Sequence, residues 1–390
     1  MRRLSQSPTD PAFVQDPYPF YETARAAGDL FHWEEYGLAC AVSHRAVTTL
    51  LRDRRLGREA PPEVAPDIPD RLRPFYDIEA HSMLELEPPR HTRLRSLVLR
   101  AFTSRRIAAL LPGLEALCAE LTAAFPEGPF DLLDFYCKPI PAITICRLLG
   151  TPAEDWRLLV DWSNAMVAMY QARRTPEIEV AAMAASTAFA DYIRRIIAAR
   201  RTRPGDDLIT ELIAAEASGE KLSPEELVTT CILLLNAGHE ATVHTLGNAV
   251  ALLLPSPPDR VDEALIEEVL RFDPPLHMFT RWVYEPCELF GHEFQRGDQI
   301  ACLLAAAGRD PSVYPDAATF DPARFTAKAP AHAAFGGGIH FCVGAPLARM
   351  ELLAGLKTLF ERAPGLRLAE PPAFADLYHF HGHDRLMVTR

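Results

Sequence analysis

The chain has 390 residues, 48% of them hydrophobic, and a formal net charge of -12. This acidic balance argues against a general nucleic-acid-binding protein, because such proteins present a basic surface to phosphates. The hydrophobic fraction is sufficient for a large core, and no run of about 18 apolar residues occurs that could cross a membrane. No linker, repeat or charge block divides the sequence, so we expect one domain spanning residues 1–390.

The eight cysteines are widely scattered and form no Cys-x-x-Cys pair, which is typical of a chain whose thiols stay reduced. The first residues, Met1-Arg2-Arg3, are followed by no apolar segment and therefore do not resemble a signal peptide. We expect a soluble, cytoplasmic protein that binds neither membranes nor nucleic acid.

Most of the first half of the chain predicts helices, with a smaller strand-forming part near the N-terminus. Short strands are expected at residues 30–33 and 38–42, and the proline-rich residues 61–74 predict a loop. Residues 112–222 are rich in Ala and Leu and predict successive helices that are broken at prolines and glycines. These helices contain an apolar stripe formed by Met166, Met169 and Tyr170. Such a stripe could contact a ligand, but it more often belongs to the core.

A basic helix is expected to begin near Arg90. Four-residue spacing places His91 and Arg95 on one face of this helix. Two cationic or donor groups that face one way would suit a carboxylate ligand. The alternative is a basic helix face that lies in water.

A long helix is expected from Ser223 to Leu254, because the serine is a good N-cap and is followed by proline and acidic residues. Such a helix is roughly 45 Å long at 1.5 Å per residue. Polar residues interrupt its apolar character at 236–242, and buried polar groups are costly unless they have partners or a chemical role. The histidines of this region, His239 and His244, are five residues apart, whereas a zinc-protease helix needs a spacing of four.

Glu268 and Arg271 lie on the next predicted helix, just before a Phe-Asp-Pro-Pro segment. Their spacing of three lets them bond on one helical face. Such pairs are common on surface helices, so the pair by itself carries little information. Strands are expected after it, at residues 280–283, 287–290 and 299–303.

Residues 335–344 read Phe-Gly-Gly-Gly-Ile-His-Phe-Cys-Val-Gly and precede a helix-forming segment with a proline in its first turn. Three consecutive glycines remove the side chains from a short loop, so its backbone can lie close against a flat group. Cys342 comes just before the helix N-terminus, whose unpaired amides favour a thiolate over a thiol. A buried cysteine in an ordinary turn is the alternative, and it leaves the surrounding glycines and histidine unexplained.

The tail, residues 376–387, predicts a hairpin whose tip consists of Tyr378, His379 and Phe380. The histidines at 379, 381 and 383 alternate, so a strand would place them on one side. A metal site is conceivable there, but the sequence offers no evident fourth ligand.

The glycine-rich loop resembles the haem-binding loop of the cytochromes P450, whose pattern is Phe-Gly-x-Gly-x-His/Arg-x-Cys-x-Gly. Every fixed position of that pattern is filled, by Phe335, Gly336, Gly338, His340, Cys342 and Gly344. The resemblance implies a mainly α cytochrome P450 fold, with a helical body, a smaller β-rich region, and haem b between the long central helix and the cysteine loop. The cysteine sulfur is the proximal iron ligand in this family.

Further roles follow from the resemblance alone. His91 and Arg95 would hold one haem propionate and Arg281 the second, while Glu268 and Arg271 would be a structural pair. The predicted substrate pocket, which includes the tail's tip, consists of Leu234, Ala237, Leu276, Met278, Phe279, Met166 and Phe380.

The long helix resembles the family's oxygen-binding helix, whose pattern is Ala/Gly-Gly-x-Asp/Glu-Thr-Thr/Ser. Gly238 would leave room for dioxygen, and Glu240 would take the acidic position in proton delivery. Ala241 departs from the pattern, because most members have a threonine there. Thr242 lies about 100° further round the helix and cannot simply replace that threonine. We hypothesise that an ordered water or a substrate hydroxyl replaces the missing alcohol.

The resemblance implies a haem-thiolate monooxygenase that inserts one oxygen atom of O2 into a small apolar substrate. No flavin or nicotinamide domain is recognisable, so electrons are expected from a ferredoxin or flavodoxin and its NAD(P)H-dependent reductase. Three arginines follow the predicted basic helix: Arg100, Arg105 and Arg106. They could form a basic docking patch for the electron donor, or they could simply lie on a helix face in water. Oxidative coupling, a peroxide-driven peroxygenase (against which Glu240 argues) and a non-catalytic haem-thiolate gas sensor remain alternatives.

Overall fold

The computed structural model describes residues 1–171, 174–217, 222–378 and 380–390. Its α-helices are α1 Pro11–Gln15, α2 Tyr18–Ala26, α3 His44–Leu50, α4 Arg73–Glu79, α5 Arg90–Ala101, α6 Ser104–Ala123, α7 Pro139–Leu149, α8 Trp156–Val167, α9 Pro176–Thr202, α10 Leu208–Ala217, α11 Pro224–Leu253, α12 Glu263–Phe272, α13 Leu304–Gly308, α14 Ala323–Thr326 and α15 Ala345–Arg362. None of these helices, across the ranges just given, is long and apolar enough to cross a bilayer.

The strands form three small sheets. They are β1 Arg2–Leu4, β2 Leu30–Trp33, β3 Leu38–Ala41, β4 Leu56–Gly57, β5 Phe130–Asp131, β6 Met278–Val283, β7 Cys287–Leu289, β8 His292–Phe294, β9 Gln299–Leu303, β10 Arg367–Leu368 and β11 Met387–Thr389. The largest sheet has the order β1-β2-β3-β9-β6-β4, and the others are β10-β11-β5 and β7-β8. A helical body with a smaller β-rich region is therefore confirmed.

The long central helix, α11, begins and ends where its sequence predicts. The Ser223 hydroxyl accepts a hydrogen bond from the Glu226 amide at 3.2 Å, and the Glu226 carboxylate accepts one from the Ser223 amide at 2.9 Å. This reciprocal cap satisfies two amides that the first helical turn leaves unpaired. Helices α7, α8, α9 and α15 pack around α11.

The tail differs from its prediction. In place of a regular hairpin, residues 374–383 form a loop closed by one antiparallel bridge between Phe374 and His383. The Ala375 amide donates to the Gly382 carbonyl at 2.8 Å, and regular pairing resumes only in β11. His381 and His383 therefore do not belong to a regular strand, and His379 lies outside the described residues.

Candidate active site

A cavity of about 290 Å³ lies between the middle of α11 and the segment from residue 334 to α15. Parts of the chain that are distant in sequence meet at it: α5, β6, the glycine-rich loop and the tail. Predicted residues that line it include His91, Arg95, Leu234, Ala237, Gly238, Glu240, Ala241, Thr242, Leu276, Phe279, Arg281, Phe335, Gly336, His340, Cys342, Gly344 and Phe380. Most of the predicted site therefore comes together in one place.

The glycine-rich loop needs its glycines at two positions. Gly336 and Gly338 have φ values of +70° and +66°, a region that residues with side chains rarely adopt. A Cβ at Gly338 would also lie 2.4 Å from the Leu51 carbonyl oxygen, so a side chain there would collide with backbone. The Cys342 amide donates to the Phe335 carbonyl at 3.0 Å, which closes the loop before α15 begins.

Cys342 faces the cavity at the start of α15. Burial raises the pKa of this thiol, while the amides of Gly344 and Ala345 and the charge of Arg95 act in the opposite direction. The predicted effect of the helix N-terminus is therefore present but does not by itself outweigh burial. A cationic ligand in the cavity would be needed to favour the thiolate.

Cationic side chains occupy one edge of the cavity. Arg281 is buried in β6, donates to the Thr280 carbonyl at 2.9 Å, and has no carboxylate within ion-pair distance among the described residues. Arg95 donates to the Phe341 carbonyl at 2.5 Å. The buried Nδ1 atom of His91 has no hydrogen-bond partner in the described structure. Buried donors and charges without partners are costly, so this edge suits an anionic ligand.

His340 is held by a residue that the sequence does not single out. Its Nε2 atom lies 2.8 Å from an oxygen of Glu87, and its ring centre lies 4.4 Å from that of His91. The Arg58 amide donates to the same carboxylate at 2.7 Å. Glu87 therefore joins the loop to α5 and β4, a connection across 253 residues that no local pattern could indicate.

Glu240 lies in the middle of α11 between two histidines. His239 Nε2 is 3.4 Å and His244 Nε2 is 3.5 Å from its carboxylate oxygens. Burial alone would raise the pKa of Glu240, but these two partners outweigh it and hold the pKa well below its usual range. For His239 burial acts in the opposite direction and lowers the pKa. Glu240 and the Leu235 carbonyl outweigh this effect, so the pKa of His239 lies above its ordinary value. A proton shared by Glu240 and His239 therefore resides on the imidazole more readily than on the carboxylate.

A second cavity of about 220 Å³ lies behind Glu240, which lines both cavities. Its wall includes Lys138 and the exposed Asp384 as well as His244 and His383. The titratable groups of this second cavity extend from the protein surface to Glu240.

The residues around Glu240 meet different neighbours from those expected. A Cβ at Gly238 would lie 2.8 Å from Ile145 Cγ1, so this glycine permits close packing of α11 on α7. Thr242 faces Glu351 of α15, a buried carboxyl group whose Oε1 atom has no hydrogen-bond partner in the described structure. Burial raises the pKa of Glu351 to about 8, and the Thr242 hydroxyl partly opposes this shift. The Thr242 hydroxyl therefore faces Glu351 and does not take the place of the threonine hydroxyl that Ala241 lacks.

Two predicted pocket residues lie elsewhere. Met166 is buried in the helical core, with its sulfur 3.8 Å from the Asn236 amide nitrogen, and does not line the cavity. Met278 packs against the aromatic cluster near the N-terminus, because alternate residues of β6 face opposite sides and Phe279 takes the cavity side.

Tyr170 and Tyr378 also differ from their sequence interpretation, whereas Met169 agrees with it. Met169 is buried in the helical core, while Tyr170 lines the cavity. Tyr378 bonds to Tyr21 at 2.8 Å and likewise lies outside the cavity wall. Only Phe380, among the described residues of the predicted tip, reaches the cavity.

The cavity also contains polar groups that no sequence signal marked. The Tyr170 hydroxyl donates to Glu79 at 2.7 Å. Burial raises the pKa of Glu79 to about 7, and the tyrosine hydrogen bond partly opposes that shift. The Arg58 guanidinium lies 5.2 Å from the Phe279 ring centre and pairs with Glu85. The pocket is therefore apolar with a polar patch on the α4 side.

Glu268 and Arg271 are completely buried. The Arg271 guanidinium donates two hydrogen bonds to the Glu268 carboxylate, at 2.6 and 2.7 Å. Arg271 also donates to the carbonyls of Gly308 and Ala317, at 2.8 and 2.9 Å, and Glu268 accepts from the Asp321 amide at 2.7 Å. These contacts fix the segment that leads to the glycine-rich loop, which supports a structural role for the pair.

Comparisons with known proteins agree with this geometry. The sequence profile described as Cytochrome P450 matches residues 261–362. The chain is 36% identical over 376 residues to the cytochrome P450 monooxygenase PikC of Streptomyces venezuelae, covering 92% of this chain and 87% of that protein. It is 40% identical over 309 residues to cytochrome P450 107B1 of Saccharopolyspora erythraea, covering 76% and 73%. The structure of P450BioI with a fatty-acyl-loaded acyl carrier protein matches with a TM-score of 0.89 at 29% identity, covering 97% of this chain and 99% of that one. This chain therefore belongs to the cytochrome P450 family of haem-thiolate monooxygenases.

Proposed function

We propose that the cavity holds haem b through Cys342 as the axial ligand, with His91, Arg95 and Arg281 holding its carboxylates. The observation that carries this proposal is one cysteine on one wall of the cavity together with, along one edge, the unpartnered Nδ1 atom of His91 and the buried guanidinium of Arg281, which has no carboxylate within ion-pair distance among the described residues. The other seven cysteines do not line the cavity. This arrangement suits a haem held by axial ligation and carboxylate contacts without thioether bonds, which is haem b.

The residues of the cavity fit this group. Gly344 lies beside the Cys342 sulfur, and Phe335 and Gly336 line the same cavity. When bound, haem supplies the activation of dioxygen and the insertion of oxygen into a carbon–hydrogen bond. The protein supplies orientation, electrostatics and control of water.

The substrate is proposed to be a small, mainly apolar organic molecule. Leu234, Leu276, Phe279 and Phe380 give the cavity an apolar lining above the proposed haem site. Ala237 and Ala241 are the small residues of α11 that leave space for it. The Glu79–Tyr170 pair could hydrogen-bond one polar group of the substrate, which would fix its orientation.

Proton delivery is proposed to run through the second cavity. Asp384 and Lys138 lie at its outer end, and His244 lies next to Glu240 at the inner end. Protonated His239 would hold a proton beside the carboxylate, which would pass it toward the substrate cavity, and His244 would be the next imidazole on the path. With Ala241 in place of a hydroxyl residue, a water or a substrate hydroxyl would complete the path.

Electrons are proposed to come from a ferredoxin or flavodoxin with its NAD(P)H-dependent reductase. Arg105 is exposed at the start of α6 and could contribute to docking. Arg106 is paired with Asp206 and Glu211, at 3.0 and 2.7 Å, so it contributes less free charge than its sequence position implied.

Reconstitution tests the proposal. The purified protein, supplied with haem and reduced under carbon monoxide, is expected to show the red-shifted Soret band of thiolate ligation. With a surrogate ferredoxin, its reductase, NADPH and a panel of apolar compounds, it is expected to form hydroxylated products. A colourless protein would overturn the haem site, and product formation with hydrogen peroxide alone at an equal rate would favour the peroxygenase alternative.

A further inference from the structure

A second cluster of metal-ligating side chains lies outside the substrate cavity. It consists of Asp273 at the end of α12, His277 in the connection to β6, and His381 in the tail loop. His381 Nε2 lies 3.6 Å and His277 Nε2 lies 4.0 Å from Asp273 Oδ1. One ligand atom from each residue lies within 4.8 Å of the other two.

The cluster is buried and one of its donors has no partner. His277 is completely buried and His381 is 5% exposed, while the Asp273 side chain is 16% exposed and gives access from the surface. The Nε2 atom of His277 makes no hydrogen bond in the described structure. A buried polar atom without a partner costs free energy, so its persistence points to a ligand.

Neighbouring residues orient the three side chains. The Tyr21 hydroxyl lies 2.9 Å from His277 Nδ1, which directs the opposite ring nitrogen toward Asp273. The Tyr18 hydroxyl donates to Asp273 Oδ1 at 2.7 Å. A hydrogen bond to the far nitrogen of a ligating histidine, as Tyr21 makes to His277, is a regular feature of protein metal sites.

The backbone of His381 is also fixed at both of its polar groups. Its amide donates to the Pro275 carbonyl at 2.7 Å, and its carbonyl accepts from the Asn248 side chain at 3.0 Å. The tail loop is therefore held against the α12–β6 connection at the position where the cluster forms.

We propose that Asp273, His277 and His381 form a binding site for a divalent first-row transition metal, with zinc as its best-suited occupant. Two imidazoles and one carboxylate are a ligand set that zinc accepts, with water in the fourth position. Zinc–ligand bonds of about 2.0–2.1 Å place tetrahedral ligands roughly 3.3 Å apart. The observed 3.6 and 4.0 Å require the side chains to close by less than 1 Å.

The charges around the cluster act in both directions. Burial lowers the pKa of His277 and of His381, which keeps both imidazoles in the neutral form that binds metal. Arg309, stacked 4.0 Å from the Tyr18 ring centre, is the neighbouring cation and opposes a metal ion. Asp273 is the only carboxylate within ion-pair distance of these two histidines among the described residues.

The metal would link two segments that reach the substrate cavity. Leu276, directly before His277, and Phe380, directly before His381, both line that cavity. A bound ion would therefore hold the tail loop and the start of β6 in one arrangement. This role is separate from haem binding and can be tested without an activity assay.

Metal analysis of the haem-loaded wild-type protein is the first test. After treatment with EDTA and titration with ZnCl2, we expect one zinc per chain in addition to one iron, counted separately by mass spectrometry. Anomalous scattering at the zinc edge in crystals of this protein should place the ion between the three side chains. Absence of stoichiometric zinc, or an anomalous peak elsewhere, would overturn the site.

Variants provide the second test. His277→Ala and His381→Ala should each weaken zinc binding by on the order of 100-fold in calorimetric titrations. The matched control is His383→Ala, because His383 is equally buried on the same loop but turns its Nδ1 toward the Ala373 carbonyl at 2.9 Å. Equal weakening by the control variant would refute the assignment, and the crystals of the wild-type protein decide the matter if a variant fails to fold.

Discussion

The two walls of the substrate cavity are built in different ways. The proximal wall, residues 335–344, is a short loop. Its shape depends on its glycines and on the hydrogen bond from the Cys342 amide to the Phe335 carbonyl. The distal wall, at the middle of α11, is a regular helix whose chemistry depends on what surrounds it. Glu240 meets His244 one turn away, and Gly238 meets Ile145 of another helix.

This difference shows where function can be recognised locally. A loop that must lie against a flat group carries its requirement in its own residue types, because only glycine adopts those backbone angles at no cost. A helix imposes little on its side chains, so the protonation and packing of its residues are set by partners distant in sequence. Changes in each wall should therefore have different consequences.

The largest effect is expected for Cys342→Ser in the proximal wall. Loss of the thiolate should abolish product formation and the red-shifted Soret band of the ferrous carbonyl form, because electron donation from sulfur is required for O–O cleavage. Cys287→Ser, at a half-buried free cysteine outside the cavity, is the matched control. A serine variant that keeps the thiolate-type spectrum would show that another residue is the ligand.

In the distal wall, Glu240→Gln is expected to lower the rate of product formation by about 100-fold, the scale of general acid–base catalysis. The amide keeps the size of the side chain but cannot stabilise protonated His239. Substrate binding, measured by the spectral shift of the haem, should be unchanged. Glu225→Gln, at the exposed start of the same helix, is the control, and an unchanged rate in Glu240→Gln would remove Glu240 from the proton path.

Glu351, which joins the two walls through Thr242, should make stability depend on pH. Its folded-state pKa of about 8 lies above its ordinary value of 4.5. At low pH the carboxyl group is neutral in the folded and in the unfolded protein, so its burial carries no electrostatic cost there. The free energy of unfolding should fall as pH rises from about 5 to 8, with a slope of up to about 1.4 kcal/mol per pH unit from this group. Denaturant titrations of Glu351→Gln should lack that contribution, and identical pH profiles would contradict the assignment.

Gly238→Ala should destabilise the protein by about 1–3 kcal/mol, because the new Cβ would lie 2.8 Å from Ile145 Cγ1. In an Ile145→Ala background the same change should be neutral or stabilising, because alanine is a better helix former than glycine. A double-mutant cycle measured by denaturant unfolding tests this coupling. Additive effects would show that Gly238 is not required for packing on α7.

The smallest effect is expected for Ala241→Thr, which restores the family's usual hydroxyl. If a substrate hydroxyl completes the proton path in the wild type, a deoxy substrate analogue should lower the yield of product per NADPH a few-fold. The threonine variant should reduce that loss. Equal yields for both substrates in both proteins would discard the hypothesis.

Much of the fold and of the site was recognisable in the residues themselves. The cap at Ser223, the glycines beside Cys342 and the spacing of His91 and Arg95 are local patterns, and local patterns act through backbone geometry over a few residues. Met278 illustrates the limit, because the alternation of β6 allows only one of two neighbouring residues to face the cavity, and the sequence does not say which.

The sequence by itself determined the cysteine loop, the long central helix and the membership of one family. Only the tertiary structure decided that Glu87 supports His340, that Glu240 lies between two histidines, and that Asp273 and His277 join His381. The physical reason is that pKa values, unpaired donors and ligand clusters depend on distances of a few ångströms. Such distances arise between residues that packing, and not chain order, brings together.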